Sequence, residues 1–110
     1  MSSHTQPNLQ MNSIEKKIAL MDVLSAKEKL SLAQCAHDIE INALKECDTA
    51  VHAALQARVP MEKFLQIRES KRIQARLVRD SFRTLVAAMN TLDDAESRYD
   101  VLFFSMESMQ

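Results

Sequence analysis

Along the second half of the chain an apolar side chain returns every seven residues, at Val78, Leu85, Leu92, Tyr99 and Met106. Phe82, Met89 and Phe103 widen this stripe on one flank, and Ala88, Ala95 and Leu102 widen it on the other. Such a repeat, held over several heptads, belongs to a long helix that packs lengthwise on another helix. It predicts a helix over about 60–108. The first half carries a second pattern. Ile14, Ile18 and Met21 open a stripe that Leu32, Ile39, Leu44, Val51 and Leu55 continue. This predicts a helix over about 13–58, with Asn12 or Ser13 as its N-cap. Residues 1–12, rich in Ser, Thr, Gln and Asn, read as a disordered leader with nothing to bury.

Two details refine the first helix. Ala36, Ala43, Ala50 and Ala57 recur in heptad register, with Ala33, Cys47 and Ala54 beside them. A row of small residues would let a partner helix approach closely; alanine is also simply a common helix former. The run Ser25-Ala26-Lys27-Glu28 fits a capping box. It predicts either a break near Ser25 or a serine on the solvent face of one unbroken helix.

The strong interruption is Arg58-Val59-Pro60. Proline disfavours helix at the residue before it and suits the first helical turn. Glu62 then falls where the helix dipole favours an anion. Two arms of about 46 and about 49 residues, each about 70 Å if straight, flank this turn. The expected fold is all-α, a long two-helix antiparallel hairpin of coiled-coil type occupying 13–110. In it, residue i lies opposite about 119 − i.

Charge supports that antiparallel sense. Arg68, Lys71, Arg72, Arg76, Arg79 and Arg83 fall opposite a stretch holding Asp38, Glu40, Glu46 and Asp48. Asp93, Asp94, Glu96, Asp100 and Glu107 fall opposite Lys16 and Lys17, with Lys27 and Lys29 just beyond. Each exposed pair is worth only about 0–1 kcal/mol, so the pattern bears on orientation and partner choice. It would serve equally between helices of two chains.

Composition narrows the alternatives. The chain contains no glycine and only two prolines, so it lacks the turns that a sheet protein needs. Phosphate loops and dinucleotide fingerprints are impossible in their usual glycine-rich form. The formal net charge is −1, which steers the whole chain toward neither nucleic acid nor acidic membranes. No apolar run reaches the roughly 20 residues of a membrane span, and a cytoplasmic protein is expected.

The candidate chemistry is sparse. Cys35 and Cys47 lie 12 apart within one helical pattern. A disulfide between them would require the helix to break, so both are expected to be free thiols acting as small buried hydrophobes. His37 and His52 do not form the i, i+4 pair of a helical metal site, and Cys35 and His37 point to different faces. No nucleophile motif is present, so neither enzyme nor cofactor is expected. Two surfaces remain as candidate partner sites. Arg72, Arg76, Arg79 and Arg83 form one helical stripe, which suits an acidic protein partner. Phosphate or nucleic acid is the alternative, weakened by the few aromatics for base stacking. Phe103, Phe104 and Met106 form an apolar C-terminal patch in which adjacent rings cannot face one partner together.

A hairpin with so little interior is expected to self-associate or to dock on a larger protein. The function read from the sequence is a non-enzymatic interaction module: a small adaptor, chaperone or stalk-like accessory subunit. Helical hairpins of this size recur in bacterial protein-export machines, an analogy of architecture alone. A nucleic-acid-associated regulator using the arginine stripe is the alternative. A small-molecule or metal-binding bundle is a third class.

Overall fold

The computed structural model describes the backbone of residues 5–108 and the side chains of residues 13–104. It contains two helices, α1 (Thr5–Gln56) and α2 (Met61–Ser108), paired as an antiparallel hairpin, with no strand among the described residues. The all-α hairpin expected from the heptads is therefore the fold.

Three boundaries differ in detail. First, α1 reaches back to Thr5, through eight residues assigned to the leader on composition. Pro7 does not prevent this, because it stands in the first helical turn, where the missing N–H has no intrahelical bond to lose. Residues 1–4 lie outside the described residues. Second, α1 is unbroken at Ser25, which is exposed. Glu28 and Lys27 continue the helix, and the serine sits on its outer face.

Third, the turn is built by α1 as much as by Pro60. The Arg58 N–H donates to the Leu55 carbonyl and the Val59 N–H donates to the Ala54 carbonyl, both at 3.3 Å. These crossed bonds close the helix end by the Schellman pattern, with a left-handed residue at the first position past the cap. That residue is Arg58, at φ 51°, where glycine is the usual occupant because a Cβ costs about 1–2 kcal/mol in this region. Pro60 then ends any continuation, and its carbonyl accepts from Phe64 N–H at 3.0 Å to start α2.

The chain divides into two compact units. The turn unit is Leu32–Val86; the terminal unit joins Met1–Ser31 with Ala87–Gln110. In the terminal unit Val23, Ala26 and Ala95 form a buried cluster against which Leu92 and Tyr99 pack. Ala95 is its tightest point, 1% exposed. In the turn unit Ala33, His37, Ala54 and Leu85 are buried, and Leu44, Cys47, Val51, Phe64, Ile67 and Val78 are half-buried.

These positions correct the reading of α1. Of its expected core stripe, Ile14, Ile18, Met21, Leu32, Ile39 and Leu55 are exposed, while Leu44 and Val51 are half-buried. The buried alanines are Ala19, Ala26, Ala33 and Ala54, one heptad row, whereas Ala36, Ala50 and Ala57 are exposed and Ala43 is half-buried. The cause lies across the seam. α2 presents large side chains such as Leu85, Leu92 and Tyr99. A facing row of small residues lets those side chains interdigitate at close range, which facing rows of Ile and Leu would not. α2 itself matches expectation: Leu85 is buried, and Val78, Ala88, Leu92, Tyr99 and Leu102 are half-buried. The Phe82 and Met89 flank is exposed. Each unit also shows the expected register. Asp48 meets Lys71 and His37 meets Ser81 in the turn unit, and Lys16 meets Phe103 in the terminal unit.

Candidate protein-interaction surfaces

The seam of the turn unit is interrupted by polar side chains, and each has a partner. His37 Nδ1 lies 2.8 Å from Ser81 Oγ, and Ser81 Oγ donates to the Val78 carbonyl at 2.9 Å. A hydroxyl has one proton, so with that proton on Val78 the His37 Nδ1–H is the donor to Ser81. The Phe82 ring leans on the imidazole, with centroids 5.7 Å apart. Gln74 Nε2 donates to both the Glu40 carboxylate at 2.6 Å and the Glu40 carbonyl at 3.0 Å. Lys71 Nζ donates to Asp48 in an ion pair between the helices. That hydrogen bond and the lysine charge hold the Asp48 carboxyl below its ordinary range; slight desolvation opposes the shift, and the His52 charge adds to it. Among the described residues no buried side-chain polar atom is left without a partner.

The arginine stripe is placed on the outer face of the turn unit. Arg72, Arg76, Arg79 and Arg83 are all exposed. Among the described residues none of them forms an ion pair with α1. Arg72 pairs instead with Glu69 and Arg83 with Asp80, each at 3.9 Å and each within α2. Arg76, Arg79, Asp80 and Arg83 edge a shallow hollow of about 280 Å³. Closer to the turn a wider groove of about 730 Å³ has an apolar floor of Val51, Phe64, Leu65 and Ala75 and a rim of Arg68, Glu69, Lys71 and Arg72. This groove follows from heptad spacing: a cationic row at the flank of an apolar seam.

At the other end of α2 the two phenylalanines part company. Phe103 is half-buried, stacked on Tyr99 with centroids 6.4 Å apart and capped by Lys16 Nζ at 4.6 Å from its ring centre. Phe104 meets it edge-on at 6.1 Å and is exposed. Phe103 is therefore engaged within the terminal unit, and Phe104 is the ring presented outward. The Met106 side chain lies outside the described residues.

Sequence reading missed an outward apolar row on α1. Ile14, Ile18, Met21, Leu32, Cys35 and Ile39 occupy alternating four- and three-residue steps on α1, interrupted by Ser25 and Glu28, and all six apolar positions are exposed. The signal was present as periodicity, but it was taken for the seam. Cys35 belongs to this outer row rather than to the core, while Cys47 is half-buried in the seam; both thiols are free. Among the described residues no group of three His, Cys, Asp or Glu side chains is placed to hold a metal ion. No helix among them is long and apolar enough to cross a membrane. Comparison of the chain with protein-family models, with curated proteins and with solved structures finds no match.

Proposed function

We propose that this chain is a non-enzymatic protein-interaction module, a small coiled-coil adaptor, chaperone or stalk-like accessory subunit working in the cytoplasm. One observation carries the reading: α1 closes its side of the seam mainly with small residues, and most of its large apolar side chains are left outside. Met21, Leu32, Ile39, Leu55 and Phe104 are each more than half exposed. Scattered apolar residues on a surface mean little, but apolar rows at heptad spacing are what a helix shows to another helix. The polar layers that might have hosted chemistry are internally satisfied.

Photo-crosslinking in the native host tests this. A benzoyl-phenylalanine at Ile39 or Met21 should give discrete protein adducts, and the same probe at the exposed Thr49 should not. Equal or absent adducts at all three positions would overturn the reading. The exposed arginine stripe favours one second reading, a nucleic-acid-associated regulator. Its mark would be binding to DNA or RNA that falls steeply with salt and is lost on replacing Arg76 and Arg79 with Gln.

A further inference from the structure

α2 carries a second heptad row beside the one that packs on α1. It advances in alternating steps of four and three residues and reads, from N- to C-terminus, basic, apolar, acidic. Arg68, Arg72 and Arg79 form its first part, Phe82, Val86 and Met89 its centre, and Asp93, Glu96 and Asp100 its last part. All nine are exposed, the central three at 53%, 37% and 49%. The charges are not used across the hairpin: among the described residues the ion pair between helices is Lys71 with Asp48, neither in this row, and Arg72 meets Glu69 at 3.9 Å within α2.

We propose that this row is the interface of a two-fold symmetric dimer, in which α2 of one copy packs antiparallel on α2 of a second copy. The inference rests on the interaction reading above and names the partner for one of its surfaces. A row ordered basic–apolar–acidic is complementary to itself when reversed. The basic end lies along the acidic end, and Val86 and Met89 of each copy meet at the centre. Antiparallel heptad layers fix the register. With Val86 opposite Met89 of the second copy, Arg79 falls opposite Glu96, and Asp100 falls opposite Ala75, between Arg72 and Arg79. Asp93 lies opposite Phe82 at the edge of the apolar centre, one turn from Arg79. A parallel pairing would set like charges together and is disfavoured. A second copy supplies the matching order by symmetry, because a two-fold interface repeats each contact. A short apolar centre between charged ends also implies an association that weakens with salt.

The test is the solution mass of the full chain by sedimentation equilibrium over a range of concentration and salt. The expected result is a dimer that dissociates as ionic strength rises from about 0.05 to about 0.5 M. Reversing the basic end (Arg68→Glu, Arg72→Glu, Arg79→Glu) or the acidic end (Asp93→Lys, Glu96→Lys, Asp100→Lys) should each raise the dimer Kd about tenfold or more. A mixture of the two variants should form a one-to-one heterodimer, and the variant with all six reversals should dimerise again. Restoration guards against a trivial loss of folding, which helicity by circular dichroism also checks. A wild-type chain monomeric at every concentration overturns the dimer, as does an oligomer whose mass ignores the reversals. Neither result touches the broader reading, which stands or falls on the crosslinks from Met21 and Ile39 of α1, outside this row.

Discussion

The two units close the same helix pair with different materials. The terminal unit uses small and apolar layers: Val23, Ala26 and Ala95, with Leu92 and Tyr99 against them. The turn unit sets polar layers among its apolar ones, His37 with Ser81, Glu40 with Gln74 and Asp48 with Lys71. Alanine layers permit close approach but discriminate poorly between registers, since one alanine resembles the next. A polar layer discriminates strongly, because a slipped register leaves a half-buried amide, imidazole or carboxylate without its partner. The difference teaches a division of labour. In the turn unit the polar pairs favour one register, and in the terminal unit the small residues allow close packing.

The largest effect should come from the one large apolar side chain buried in the turn unit. Leu85 is 7% exposed, and Leu85→Asp would put a charge into that layer. Thermal melting should show a loss of about 4 kcal/mol or more; unchanged helicity and melting would mean that the seam is misplaced. Next comes the terminal unit. Ala95→Leu overfills its tightest layer and should cost about 1–3 kcal/mol. Hydrogen exchange should place the loss at amides near 19–26 and 92–99. Protection falling equally in the turn unit would erase the distinction between the two units.

The polar layers should respond in the opposite way to single and paired changes. His37→Leu alone should cost about 1 kcal/mol by leaving Ser81 without its donor. Adding Ser81→Ala should recover most of that, because two matched apolar groups replace two matched polar ones. The pair should also populate slipped registers, seen as extra spin-label distances between the helices. A single sharp distance in the double variant would remove the register role from this layer.

How much of this was legible in the sequence depended on side-chain size. The α2 seam was readable because its inward row is its large row: Val78, Leu85, Leu92 and Tyr99 leave little choice of face. On α1 the same logic chose wrongly. Ile14, Ile18 and Ile39 are larger than Ala19, Ala26 and Ala33, and a scale that ranks hydrophobicity by size points outward. Only the partner's bulk decides which face turns in, and that is a property of the pair. The turn was legible through Pro60, but its left-handed residue was not, since an arginine holds a place where glycine would have announced it. The arginine stripe was found, yet its intrahelical pairing with Glu69 and Asp80 was not. Blocks of opposite charge indicate which segments face each other; they do not say which side chains reach across.

Arg58 offers a smaller effect of known sign. Arg58→Gly should stabilise the chain by about 0.5–1 kcal/mol, the left-handed penalty relieved less the added freedom of the unfolded chain. A denaturant midpoint that falls would show that the arginine side chain holds the turn by contacts of its own.

The smallest effect separates the units by pH. Asp48 has its carboxyl lowered by the Lys71 hydrogen bond and charge. A carboxylate with a depressed folded pKa stabilises the fold above its unfolded pKa of about 3.9, where it is ionised in both states. That contribution is lost as pH falls through the lower folded value, because the unfolded chain then takes up the proton first. The turn unit should therefore lose protection in this acid range through Asp48, and Asp48→Asn should remove the corresponding part of the slope. The carboxylate is half exposed to solvent, so the change is small and is best read as a difference in exchange rates near 45–51 between the two proteins. An unaltered slope in Asp48→Asn would place the acid sensitivity elsewhere, and the Lys71 contact would then count only as a positioning hydrogen bond within the register-setting unit.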